Sequence, residues 1–201
     1  MKEDILEQLV EDYLHAKGYF TRHNIRFKPD PNHDDFVKNQ DSNTSDVDVV
    51  GFNPLEKGAR RVVVASCKSW QGGFDPAAKL KQISDNAMVG GREAWKSYRE
   101  LLQPKWSDAF MAAIEKATGT RVFTYWTVVT NLKNEQHRAS WEKNARFSAS
   151  LNGNPIEIVT LKEILDFLWG RLSSDAAKQT PEASDIGRAL QLMKASKWRP
   201  E

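Results

Sequence analysis

Apolar positions along the chain set out its elements. Ile5, Leu6, Leu9, Val10, Tyr13 and Leu14 recur at helical spacing. They predict a helix running to about Lys17 and stopping at Gly18. Tyr19 to Phe27 reads as a strand, and residues 28–45, rich in Asp, Asn and Pro, as a loop. Residues 46–52 and 61–68 read as two strands joined by a turn at Asn53-Pro54 through Gly58, an antiparallel hairpin. Asp75-Pro76 starts a helix expected to reach about Val89, with Pro at its first position. Residues 92–117 read as helical. Arg121 to Thr130 is dense in β-branched and aromatic residues, which predicts a buried strand. A polar helix over 134–147, a strand over 155–159 and a helix over 161–172 follow. Residues 173–184 read as a linker before a last helix at about 185–196. The order is that of an α/β sandwich on a mixed sheet.

Composition narrows the class. The 201 residues are 40% apolar and 28% charged, as in a folded globular chain. With a net charge of only +2, a nucleic-acid partner would need a local basic patch. The lone cysteine, Cys67, excludes an internal disulfide and a cysteine-based zinc cluster, and fits a reducing cytoplasm. The acidic start Met1-Lys2-Glu3-Asp4 leads into the first helix and does not read as a signal peptide. No apolar run approaches the roughly 18–20 residues of a membrane span.

The hairpin carries the candidate chemistry. Its strands are Ser45-Asp46-Val47-Asp48-Val49-Val50 and Val62-Val63-Val64-Ala65-Ser66-Cys67-Lys68. Carboxylates and lysines are costly to bury unless paired or bound to a metal. Side chains alternate across a strand, so Asp46, Asp48 and Val50 share one face, as do Val64, Ser66 and Lys68. With the turn centred near residue 57, Asp48 lies opposite Ser66 and Lys68 one diagonal step away. A one-residue slip would scatter them.

This arrangement resembles the PD-(D/E)xK nuclease superfamily, which includes restriction endonucleases, Holliday-junction resolvases and Mrr-type enzymes. Asp48 matches the family's strand Asp, and Ser66-Cys67-Lys68 its acid-x-Lys tripeptide. Glu7 stands eleven residues before Gly18-Tyr19, as the family's first-helix Glu often does. Gln82 matches a Gln on the helix after the Lys. The resemblance implies a restriction-endonuclease-like α/β/α sandwich with an αβββαβ core over residues 1–172. A helical insertion would occupy about 90–118, and residues 173–201 would form a linker and C-terminal helix. It further implies a Mg²⁺-dependent deoxyribonuclease, with Mn²⁺ as a substitute, acting on DNA as a homodimer in restriction, repair or phage defence.

By resemblance, Asp48 is the central metal ligand, joined by Glu7 and the Cys67 carbonyl. Lys68 orients or deprotonates the attacking water and offsets charge on the phosphate. The departure is Ser66, which can hold a water but brings no negative charge. It leaves open a second reading, a nuclease fold with a degraded site that binds DNA or joins a complex. A purely structural domain is the third. Asp46 and Asp48 could also be exposed edge acids, Glu7 a solvated helix residue with Glu11 as its substitute, and Gln82 a surface residue. Trp70 reads either as a base-stacking wedge or as packing. The Cys67 side chain reads as core, and the four histidines show no metal-ligand spacing. The bases Arg22, Arg26 and Lys28, and those at 194–199, are candidate phosphate contacts.

Overall fold

Asp4 starts the first helix. Its carboxylate accepts the Leu6 amide at 2.8 Å, satisfying one of the open N–H groups of the first turn. In the computed structural model, which describes residues 4–172 and 184–198, this helix is α1 (Ile5–Ala16). It ends where Gly18 takes a φ of +85°, a backbone state that glycine adopts without steric cost. Leu6, Leu9, Val10 and Leu14 form its buried face. Each such side chain contributes roughly 1.5–3 kcal/mol on full burial.

Three strands follow as an antiparallel meander: β1 (Phe20–Phe27), β2 (Ser45–Phe52) and β3 (Val62–Lys68). Two parallel strands, β6 (Thr124–Val129) and β7 (Ile156–Thr160), complete a five-stranded mixed sheet in the order β1-β2-β3-β6-β7. Every residue of β6 is buried, as expected for a parallel strand covered on both faces. On one face α1 and α7 (Leu161–Arg171) pack against Val49, Val63, Ala65, Trp126 and Val128. On the other, α4 (Pro104–Thr118) and the segment before it bring Trp106, Phe110 and Tyr98 onto Val50, Val64 and Tyr125. The protein is therefore an α/β fold with helices on both faces of a mixed sheet. Among the described residues, no helix is long and apolar enough to cross a membrane.

Four expectations change. The 28–45 loop contains one helical turn, α2 (Lys38–Asp41). Its stabiliser is tertiary: the buried Asp41 carboxylate accepts from Val37 N at 2.8 Å and Trp106 Nε1 at 3.1 Å, and pairs with Lys105 at 2.6 Å. The helix α3 (Pro76–Ser84) stops well before Val89. Asn86 lies in the left-handed region, and a two-stranded ribbon, β4 (Met88–Val89) with β5 (Arg92–Glu93), turns on Gly90-Gly91. Both glycines have positive φ, the geometry a two-residue hairpin requires. The expected helix over 92–117 is two pieces, a 3₁₀ segment (Ala94–Leu101) and α4. Pro104 separates them, because proline disfavours helical backbone in the residue before it and tolerates the first helical turn. The 134–147 helix is also broken, into a 3₁₀ turn, α5 (Arg138–Glu142) and α6 (Ala145–Ser150). The Asn144 side chain caps α6 by accepting from Arg146 N and Phe147 N. The predicted linker lies, over 173–183, outside the described residues, and the last helix is α8 (Asp185–Ala195).

Candidate active site

The meander comes apart at one place. Pairing between β2 and β3 runs from Phe52↔Val62 to Val49↔Ala65 and ends there. Residues 45–47 of β2 stay paired with β1. Asn24, with a φ of +54°, lies opposite Asp48, and that pair alone is missing from the β1–β2 ladder. Left-handed backbone inside a strand breaks the alternation of faces. His23 accordingly sits 3.1 Å from Glu11 on α1, whereas Ile25 and Phe27 join the opposite cluster. The β2–β3 ladder thus stops at Val49↔Ala65, and the N–H of Cys67 has no ladder partner on β2. The Asp48 carboxylate takes that N–H at 2.5 Å. The register of the paired stretch is the one the turn centre predicts, but the ladder stops one step short of pairing Asp48 with Ser66.

Carboxylates crowd the split. Glu7, on α1, is raised from 4.5 to about 7, first by burial and then by the charges of Asp48, Asp4 and Asp46, with His23 opposing. Burial also raises Asp48, and the charges of Asp46 and Glu100 add to it. Lys68 and the Cys67 N–H pull the other way. Asp4 ties the two elements together: one oxygen caps α1 and the other accepts from Ser69 Oγ at 2.8 Å, just past Lys68.

This crowding has a measurable consequence. Because the folded-state pKa of Glu7 lies above its ordinary value, the stability held below pH 4.5 is lost as the pH rises through about 7. Replacing Glu7 with Gln removes that loss. At pH 8 the variant is expected to be more stable than the parent by about 1 kcal/mol, a figure reduced for solvent screening, and at pH 4 equal to it. Urea unfolding at the two pH values reads the difference. No gain at pH 8 would mean that Glu7 does not feel the other acids.

The donor set suits a hard divalent cation. Negative charge is in excess, and one Asp48 oxygen is engaged by Cys67 N–H. N–H and C=O of one strand residue point to the same side, so the Cys67 carbonyl faces the split as well. Among the described residues, no three His, Cys, Asp or Glu side chains form a ready metal group. Mg²⁺ does not need one, since it uses one or two carboxylates with waters and phosphate oxygens.

Behind Ser66 lies an acid that sequence reasoning missed. The Tyr125 hydroxyl, close enough to Ser66 to feel it, donates to Glu100 Oε1 at 2.6 Å. Glu100 is only 8% exposed, and its charge reaches Asp48. Lys68 Nζ lies 5.9 Å from the centre of the Tyr98 ring. Burial, then the nearby Glu100 charge, pushes the Tyr125 hydroxyl well up, so it remains a neutral donor. The sequence signal for Glu100 was faint: an acid inside a segment otherwise rich in aromatic and basic residues.

The structure thus gathers Asp48, Ser66, Lys68, the Cys67 backbone, Glu7 and Asp46 at the split. Gln82 and Trp70 line a cleft of their own. There Gln82 accepts from Lys79 Nζ at 2.8 Å. Trp70 is half-buried and packs on Phe74 and on Tyr98, the ring that Lys68 also faces, with Lys79 Nζ 4.8 Å from its own ring. Glu11 is held by Thr21 Oγ1 at 2.8 Å and by His23. Burial alone would raise it, and these hydrogen bonds lower it below the ordinary value. The Cys67 thiol packs on the α1 side, where burial pushes it well up and keeps it inert. No family model, curated protein or solved structure matches the chain.

Proposed function

We propose that this protein is a Mg²⁺-dependent deoxyribonuclease with a restriction-endonuclease-like α/β/α fold. One observation carries the reading. Asp48 sits where β2 parts from β3, bonded to Cys67 N–H at 2.5 Å, with the Lys68 charge acting on it. The element order through β3, β6 and β7 supports it, as does α1 bringing Glu7 to the same place.

Asp48, Glu7 and the Cys67 carbonyl would hold the cation. When bound, Mg²⁺ supplies polarisation of the phosphoryl oxygen and lowers the pKa of a coordinated water. The chain's own residues do the rest. Lys68, beside Asp48, orients the attacking water and offsets charge developing on the scissile phosphate, a role an ammonium fills without losing its proton. Ser66, near the Tyr125 hydroxyl, would position a water where the family has its second acid. Buried Glu100 places a negative charge behind that position. Cutting both strands with one site per chain favours a two-fold homodimer, and the single thiol fits a cytoplasmic setting.

Ser66 favours a second reading, the same fold binding DNA without cutting it. One assay separates them. Supercoiled, linear and branched DNA and single-stranded RNA are incubated with the protein in Mg²⁺ or Mn²⁺. Metal-dependent nicking or linearisation of DNA is expected. DNA bound but left intact would establish the second reading, and preferential cutting of RNA would overturn the choice of substrate.

A further inference from the structure

A second cleft, of about 470 Å³, opens between the loop that leads into β2 and the ribbon–3₁₀ segment. One wall is uncharged and polar, with Asn39, Asn43 and Thr44. The other is basic, with Arg92, Lys96 and Arg99. Nearby acids are already engaged: Glu93 pairs with Lys96 at 2.6 Å, and Asp41 with Lys105 at 2.6 Å. Among the described residues, neither Arg92 nor Arg99 has a carboxylate within ion-pair distance.

Arg99 is the unusual member. Its guanidinium lies 4.3 Å from the centre of the Trp106 ring, and its Nε donates to Lys96 O at 3.1 Å. It is half-buried, and the Arg92 charge is close enough to oppose its own. A stacked, planar guanidinium with free N–H groups, set beside a like charge and amide side chains, is suited to the bidentate grip of a phosphate.

The cleft and the split draw on the same stretches of chain. Thr44 immediately precedes β2, the strand of Asp48, and Arg99 immediately precedes Glu100, which accepts from the Tyr125 hydroxyl. We propose that this cleft binds a backbone phosphate of the DNA flanking the scissile one, with Arg99 and Arg92 as the phosphate ligands. The inference rests on the nuclease reading for its choice of DNA. It explains how a chain with a net charge of only +2 holds a polyanion: positive charge is concentrated in one cleft.

Binding without cleavage tests it. A fluorescein-labelled duplex is titrated with the protein in Ca²⁺ or EDTA and followed by anisotropy at several salt concentrations. Arg92→Gln, at an exposed position, and Arg99→Gln are each expected to weaken binding about fivefold or more, whatever the DNA sequence. Each should lower the slope of log K against log salt by about one. Arg121→Gln, whose partner is Glu115 on the far end of α4, should match the parent. Should Arg99→Gln fold poorly, Arg92→Gln alone decides. Parent-like affinity and salt slope in Arg92→Gln overturn the proposal, as does a parent protein that does not bind the duplex. A parent that binds through these arginines but never cuts would defeat the nuclease reading and leave the cleft standing.

Discussion

Asp48→Asn is expected to lose metal-dependent DNA cleavage by roughly 10³-fold, the scale of removing one group that stabilises charge in a transition state. The amide keeps the shape and an oxygen to accept the Cys67 N–H, so the split itself persists. What disappears is the negative charge that would hold a cation in the proposed site. Burial already raises the Asp48 carboxyl, so the variant should fold at least as stably as the parent. Lost activity with kept stability is the signature that separates a ligand from a structural acid. Lys68→Ala should cut activity by a similar factor, and Lys68→Arg should restore little, because a planar guanidinium does not place charge as an ammonium does. Single-turnover cleavage of supercoiled plasmid in Mg²⁺ measures all three. If Asp48→Asn cuts as fast as the parent, the site is elsewhere.

Asp41→Ala should be the most damaging single change to stability, at about 3–5 kcal/mol. The carboxylate is 1% exposed and its partner Lys105 7%. Truncation leaves the Trp106 indole N–H and the Val37 amide without their acceptor, and the buried Lys105 ammonium with only the Asp35 carbonyl and no counter-charge. Burial alone would raise the Asp41 carboxyl, but hydrogen bonds from Lys105, Val37 and Trp106 outweigh it and hold it below 3.8. Its folded pKa is thus depressed. The stabilisation is present above pH 3.8 and lost as the pH falls through the lower folded value. Urea unfolding at pH 7 should show the full deficit, and the gap between parent and variant should shrink in acid. A double change, Asp41→Leu with Lys105→Met, should recover part of the loss, since no charge is then left buried alone. A deficit under 1 kcal/mol at pH 7 would contradict this account.

The register of the β2–β3 hairpin was legible because turn residues punctuate it. The expected alternation along β2 was not kept: it breaks at Asp48, so that Val47 and Val50 pack on one face and Val49 on the other. The split was not legible. It depends on Asn24 adopting left-handed backbone opposite Asp48, and nothing in the strand pattern announces that. The buried stripe of α1 was readable from spacing, but the cluster of Asp4, Glu7 and Asp48 arises from docking the helix on the sheet. Glu100 and Tyr125 were invisible for the same reason, as their hydrogen bond joins elements with no local relation. Trp70 was ambiguous in sequence because stacking and packing use the same residue type, and in the fold it does pack, on Phe74 and Tyr98, while also lining a cleft. Likewise, Asn144 and Pro104 cut helices that the periodicity extended.

Residues 69–123 form one excursion between β3 and its parallel neighbour β6. The energetic penalty for closing such a loop grows only logarithmically with its length. Strand β6 therefore pairs with β3 almost independently of how long the excursion is, or of what it carries at its exposed ribbon. The basic wall of the second cleft belongs entirely to that excursion, whereas Asp48, Ser66 and Lys68 belong to the meander. The proposed grip and the proposed chemistry thus sit in different stretches of chain. The exposed ribbon can be recharged or exchanged with the meander left in register, whereas the 3₁₀ segment is fixed by its buried Tyr98 and Leu101 and by the bond of Glu100 to Tyr125.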